Sequence, residues 1–345
     1  MHSIGHFWNL SRQIYGPRNL QENKRAFVFF FRAVTNRNLF EELYAFFDAY
    51  PPMKRFFDDQ DPDFQEVMTR VFLFKNSTMR QRLDALIHHF TILRTMFSDD
   101  VIHELYWGKG YTLWKSTDES LPLEARLMFH TGQRKEGFLS LYLFYSGDMI
   151  YHFNFRFDYN SQGVPSMYIG TIQGSKKGLE TTKAVTKKLF GYRPKNFILY
   201  LMRIFVQTLG IHDMYVITDE GFYTNSHILR GNRSKKTTFN AFWQDEGAVP
   251  DAGERWYFRM PIEEKRRKYN EIKSQKRNLF RKRYLLMDQI IPSYVESIKK
   301  LFRPEFQPQP SAIDESTIVD KPADYDPIEA PKEGENLGSF IQKKV

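Results

Sequence analysis

Gln173, Gly174, Lys176, Lys177 and Gly178 stand where an apolar run ends and a helix-forming stretch begins, in YIGTIQGSKKGLETTK at residues 168–183. A helix start offers unpaired backbone N–H groups and a partial positive charge, and two lysines add full charges. Residue types in that order suit a phosphate or pyrophosphate. A second helix start follows at Arg193-Pro194-Lys195, so the expectation is one electropositive recess built from two helix beginnings. The competing reading is a glycine-mediated turn with solvated lysines.

A second constellation could do acid–base work. In the run YHFNFRFDY at 151–159, Tyr151, Phe153, Phe155 and Phe157 alternate with His152, Asn154 and Arg156, so a strand there has one apolar and one polar face. Asp219, Glu220 and Tyr223 follow the next apolar strand, and with His152 they are the candidate catalytic groups. A third feature is electrostatic. Between Ile262 and Arg283 there are ten Lys/Arg against three Glu, and Lys265, Arg266, Arg267, Lys268, Lys276, Arg277, Arg281, Lys282 and Arg283 could form a footprint on an anionic surface. Among charge runs a plain solvated helix face is the commonest meaning.

Other chemistries are absent. There is no cysteine, hence no disulfide framework, thiolate metal site or cysteine nucleophile. The G-x-S-x-G, G-x-x-x-x-G-K-[ST] and H-E-x-x-H patterns do not occur, and WGKGYTLW at 107–114 reads as an ordinary turn. Adjacent His88 and His89 diverge on a helix and cannot share a metal, so no metal is expected.

The elements that must position these groups are legible in outline. NRNLFEELYAFFDAY (36–50) and MRQRLDALIHHFTILRTMF (79–97) have helical apolar spacing, and residues 1–130 read as a helical N-terminal region. From 131 to 303 the pattern is a mixed α/β core. It holds a hairpin across Ser146-Gly147-Asp148, a strand at 167–173, and a buried helix opened by Pro194 and closed by Gly210; a strand at 211–218 and a basic helix over 263–290 complete it. Residues 304–345 hold nine acidic residues, four lysines and six prolines, a disordered acidic tail by composition. The net charge of +9 leaves +14 on residues 1–303, which favours anionic partners. The fold class expected is α+β: helices packed on a mixed, largely antiparallel sheet. The greasiest run, AFVFFF at 26–31, is far too short to span a membrane, so the expected location is cytoplasmic, with peripheral contact at the inner membrane left open.

The spacing Q-x-x-K-x-G resembles the Q/R-x-x-G-x-G/A pyrophosphate loop of GNAT acetyltransferases, with Lys176 where that loop has glycine. A GNAT-like core and acyl-CoA as cofactor are what this resemblance implies. In addition, QRLDALIHHFTIL, KEGFLSLYLF, IGTIQG, TKKLFGYRPKNFILYLMRIFVQTLGI, FNAFWQDEGA and KSQKRNLFRKRYLLMD resemble successive blocks of the VirK/YbjX family of bacterial proteins. That resemblance implies a role in virulence, envelope stress, antimicrobial-peptide tolerance or lipopolysaccharide-linked phenotypes, and carries over no catalytic residue. Gly221-Phe222-Tyr223 and Thr238 depart from the family pattern. Two readings follow: an accessory protein binding an anionic membrane surface, a phosphorylated small molecule or a protein partner, and a GNAT-like acyltransferase. Nucleic acid ranks last, for want of any recognised module.

Overall fold

Aromatic residues at helical spacing build the first part of the molecule. The computed structural model describes residues 2–17, 19–175, 178–226 and 238–308. The chain runs through α1 (Ile4–Ile14), α2 (Leu20–Thr35), α3 (Arg37–Asp48), α4 (Pro51–Arg55), α5 (Glu66–Thr69), α6 (Met79–Met96) and α7 (Asp99–Trp107). Phe40, Leu43 and Phe47 of α3 turn inward, as do Leu83, Leu86, Phe90 and Leu93 of α6, so the period read from the sequence is the buried face. The adjacent histidines do diverge. His89 Nε2 meets the Tyr106 hydroxyl at 2.7 Å, while His88 Nδ1 lies 2.8 Å from Asp158.

The strands are β1 (Tyr111–Lys115), β2 (Leu123–Met128), β3 (Leu139–Tyr145), β4 (Asp148–Tyr159), β5 (Pro165–Gly174), β6 (Asp213–Ile217), β7 (Val249–Pro250) and β8 (Tyr257–Met260). They form one sheet of order β1-β2-β3-β4-β5-β6-β8-β7. β5 and β6 are parallel and the other pairs antiparallel. The protein is therefore α+β with a mixed, largely antiparallel sheet, as expected. β1 corrects one detail: WGKGYTLW turns at Gly110, whose φ is +71°, and then enters the sheet. β1 and β2 thus lie ahead of residue 131, and buried side chains of helices and sheet run together in one core.

Local chemistry sets the connections. Ser146 and Gly147 both have positive φ (52° and 85°), the geometry of a two-residue hairpin turn whose twist matches the strands it joins. A parallel pair needs a crossover. Here it is α8 (Leu179–Lys188) followed by α9 (Pro194–Thr208). Pro194 opens α9, and Gly210 at φ +70° follows its end. On the apolar face of the sheet Phe155 meets Phe205 of α9 edge-on, 6.0 Å between ring centres. There too Trp243 of α10 (Asn240–Asp245) stacks on Phe153 at 6.1 Å and donates its indole N–H to Ile217 O at 2.9 Å.

The basic segment is not one helix. Helix α11 (Ser274–Lys299) begins well after Glu263. Residues 261–264 instead form a strap across α9: Arg203 Nε donates to Pro261 O at 3.1 Å, Gln207 Nε2 to Ile262 O at 2.8 Å, and the Tyr192 hydroxyl to Glu264 at 2.7 Å. The first two bonds take backbone carbonyls that a helix there would need for its own ladder. The tail beyond residue 308 lies outside the described residues.

Candidate functional site: a closed polar network on the sheet

The alternation in β4 holds, and cross-strand pairing extends its polar face to both neighbours. Asn154 stands opposite Ser140 of β3 and Thr171 of β5, and His152 opposite Tyr142 and Gln173. A half-polar antiparallel strand ordinarily shows that face to water. Here His152 is 3% exposed, and Ser140, Asn154 and Thr171 are fully buried. The covers are the segment 130–137 ahead of β3 and the segment 219–226 after β6. Residues 73–76 stitch them together: Leu73 N donates to Lys135 O and Lys75 N to Gly221 O, both at 2.8 Å, and Asn76 N to Ser226 Oγ at 2.7 Å.

Gly170 lets the first cover close. The β4–β5 register slips there, Asn154 pairing with Thr171 and Phe155 with Ile169. A Cβ on Gly170 would lie 1.8 Å from Glu136 O. Only glycine allows the Glu136 backbone to settle onto the bulge.

Glu136 is 6% exposed, and its carboxyl is hydrogen-bonded to Asn154 and Tyr223. Burial pushes it up to about 7, against the opposing pull of Lys135 and those bonds. Burial, then the Glu136 charge, raise the Tyr223 hydroxyl far above the neutral range, so it stays a donor. Asn154 also gives an N–H to Gln133 O. His152 Nε2 lies 2.9 Å from Gln133 Oε1, which makes Nε2 the protonated nitrogen and Nδ1 the one with a lone pair. Burial and the nearby His130 hold His152 down at about 4, hence neutral, and its buried Nδ1 has no partner among the described residues. At neutral pH the network thus contains a carboxyl able both to take and to give a proton, a phenol donor and an unpaired imidazole acceptor.

Its place in the topology matters. β5 and β6 pair from Ser166↔Asp213 to Ile169↔Val216, after which β5 runs on to Gly174. Glu136, set against Gly170, therefore lies just past the point where the parallel strands part, at their carboxyl ends, with Asn154 one strand away on β4. The carboxyl end beside a crossover helix is a usual place for a ligand.

Of the catalytic candidates read from the sequence, His152 and Tyr223 join this network and two do not. Asp219 accepts from Phe239 N and Asn240 N at the start of α10, and Glu220 is an exposed partner of Lys75 at 3.2 Å. Arg156 is sealed in, its Nε 3.1 Å from Asp158, its Nη1 3.0 Å from the Tyr257 hydroxyl and its guanidinium over the Tyr168 ring. Of the anion-binding candidates, Gln173 and Gly174 end β5 and Gly178 precedes α8, while Lys176 and Lys177 lie outside the described residues. The two helix starts do not form one cradle, because Arg193 and Lys195 stand beyond the far end of α8, about 15 Å of helix away from Gly178. Lys195 sits 3.7 Å over the Phe242 ring, where burial lowers its amine to about 8. Arg193 instead lines an open groove of about 420 Å³ along α8 with Lys183 and Lys187. In the basic segment Arg266 pairs with Asp288 at 2.6 Å, Arg277 donates to Ile272 O and Arg283 to Phe190 O, while Lys265, Arg267, Lys268 and Lys276 face solvent and Arg281 and Lys282 are half-buried. Among the described residues no cluster of three or more His, Asp or Glu could hold a metal.

A family model described as "Protein of unknown function (DUF535)" matches residues 18–295. The chain belongs to the DUF535 family. Two relatives illustrate the likeness. "Uncharacterized protein YbjX" of Escherichia coli (strain K12) is 31% identical over 230 residues, 65% of this chain and 68% of that one. An "Uncharacterized protein" of Haemophilus influenzae is 23% identical over 295 residues, 82% of this chain and 92% of its own length. The sequence resemblance to VirK/YbjX proteins is thereby borne out. No solved structure matches. The DUF535 match covers every member of the buried network, including Gln133, Glu136 and Gly170, which sequence reasoning passed over. The signal that could have found Glu136 was Gly170, a glycine inside an otherwise apolar strand that marks close backbone approach.

Proposed function

We propose that the protein is a GNAT-like transferase that moves an acyl group from acyl-CoA to an amine or hydroxyl acceptor. The observation that carries this reading is Glu136, a carboxyl poised at about 7 where the parallel strands part. The groove beside α8, with Lys183, Lys187 and Arg193, supplies cations for the phosphates of the donor. In the reaction the acceptor attacks the thioester carbonyl and passes its proton to the Glu136 carboxylate. The C–S bond breaks, and the departing thiolate takes a proton from Tyr223, which Glu136 then restores through their hydrogen bond. Products are the acylated acceptor and CoA thiol. Saturating acetyl-CoA or a longer acyl-CoA should raise Tm by several degrees, as a ligand held at about 100 times its Kd adds close to 2.7 kcal/mol. An unmoved Tm together with no thiol release in the presence of amine and alcohol acceptors sinks this reading.

A second reading is a VirK/YbjX-like accessory role in the envelope, in stress or antimicrobial-peptide tolerance, through an anionic ligand held by the basic segment. It is supported by the solvent-facing Lys265, Arg267, Lys268 and Lys276. Reversing those four charges should then remove salt-sensitive binding to anionic vesicles, since each cation near such a surface contributes about 1 kcal/mol. Binding that survives the reversal counts against it.

A further inference from the structure

Ile4 and Trp8 of α1 and Leu20, Phe27 and Phe31 of α2 are 45–86% exposed. They are not scattered. The two helices form an antiparallel pair in which Arg12 donates to Asn23 at 2.8 Å and the Trp8 ring meets Phe30 edge-on at 5.4 Å. Leu20, Lys24, Phe27 and Phe31 fall at i, i+4, i+7 and i+11, one stripe along α2. The inward stripe is already satisfied, because Phe7 and Leu10 of α1 and Ala26, Phe29 and Ala33 of α2 are buried in the core. The pair therefore carries a second apolar face that the fold leaves in water, and contiguous exposed aromatics mark an interaction surface.

The charge around that face selects the partner. Arg12 lies 6.0 Å from the Trp8 ring centre and Lys24 sits exposed within the stripe, whereas Glu22 is already paired with Arg25 at 2.6 Å. Tryptophan and phenylalanine interleaved with cations on helices parallel to a surface suit the headgroup boundary of an anionic bilayer, where rings enter the acyl edge and cations meet phosphates. Among the described residues no helix is long and apolar enough to cross a membrane, so such contact is peripheral. We infer that the α1–α2 face docks the protein on anionic phospholipid membranes. This inference is independent of the acyl-transfer reading and of the basic segment.

The test is co-sedimentation of the full chain with phosphatidylcholine vesicles, with and without phosphatidylglycerol. The native protein should partition onto the anionic vesicles, less at high salt. Phe27→Ser/Phe31→Ser, which changes no charge and only exposed positions, should weaken partition about tenfold or more. Lys24→Glu should weaken it while leaving Tm in place. Emission assigned to Trp8, as the difference between the native protein and Trp8→Phe, should move to shorter wavelength on the vesicles. Three results overturn the inference: a native protein indifferent to anionic vesicles at low salt, a double variant that binds as well as the native one, or a native dimer that the double variant breaks into monomers, which would assign the face to a second copy.

Discussion

Replacing Arg203 by methionine should destabilise the protein by about 3–5 kcal/mol, the usual result of removing one partner from a buried ion pair. Arg203 is 3% exposed, and its guanidinium holds four groups at once. It donates to Pro261 O at 3.1 Å and Glu246 O at 2.9 Å, and pairs with the carboxylates of Glu246, at 3.3 Å, and Glu264. Methionine fills similar space but leaves two largely buried carboxylates facing each other. Burial already pushes Glu246 above the usual carboxylate range, and loss of the cation pushes it further. The deficit should accordingly shrink as pH falls and Glu246 protonates. Denaturant unfolding at acid and at mildly alkaline pH reads both effects, and limited trypsin digestion reads a third: the freed strap should become cleavable at Lys265–Lys268. A loss under about 1 kcal/mol with unchanged cleavage would mean that Arg203 does not anchor the strap.

The same arginine explains why the strap was invisible in the sequence. EEKRRKYNEIKSQKRN contains nothing that forbids a helix, and a charge run reads as a helix face. What prevents the helix is hydrogen bonding to Arg203 and Gln207, about sixty residues back in the chain. Local periodicity reports what a segment does with its own neighbours. It therefore located α3, α6, the Ser146-Gly147 hairpin and α9 between Pro194 and Gly210. It also separated the two faces of β4. It could not report that the polar face is covered, because the covers come from segments on either side of the strands they close over. Nor could it see that Phe242, from α10, would take up the Lys195 ammonium and leave Arg193 to face the groove with Lys183 and Lys187. His152 and Tyr223 were found because strand alternation and a strand end flag them. Glu136, which joins them, is a single glutamate before a strand, with no pattern of its own.

Glu136→Gln should lower acyl transfer by about 10²–10⁴ while leaving the donor's effect on Tm intact, because a positioned general base contributes on that scale. Glutamine keeps the shape and can still bond Asn154 and Tyr223, so what is removed is the proton site. The native rate should rise with pH through about 7 as the carboxyl ionises, and the variant should lack that limb. Stability supplies an independent reading. The folded carboxyl titrates near 7, against an ordinary value of 4.5, so between those limits the folded protein holds more protons than the unfolded chain. The contribution of Glu136 is then fully present below about 4.5 and is lost as pH rises through about 7. His152 runs the other way, its folded value near 4 lying below the ordinary 6.5, so its contribution is present above 6.5 and is lost as pH falls through 4. That term is common to native protein and variant and cancels in their difference. From pH 4.5 to beyond 7 the difference should therefore move in favour of Glu136→Gln by on the order of 3 kcal/mol. Parallel curves would show that the carboxyl is not held near neutrality and would remove the base from the mechanism. The expected stability shift with an undiminished rate would leave the network as architecture and move the chemistry elsewhere on the sheet.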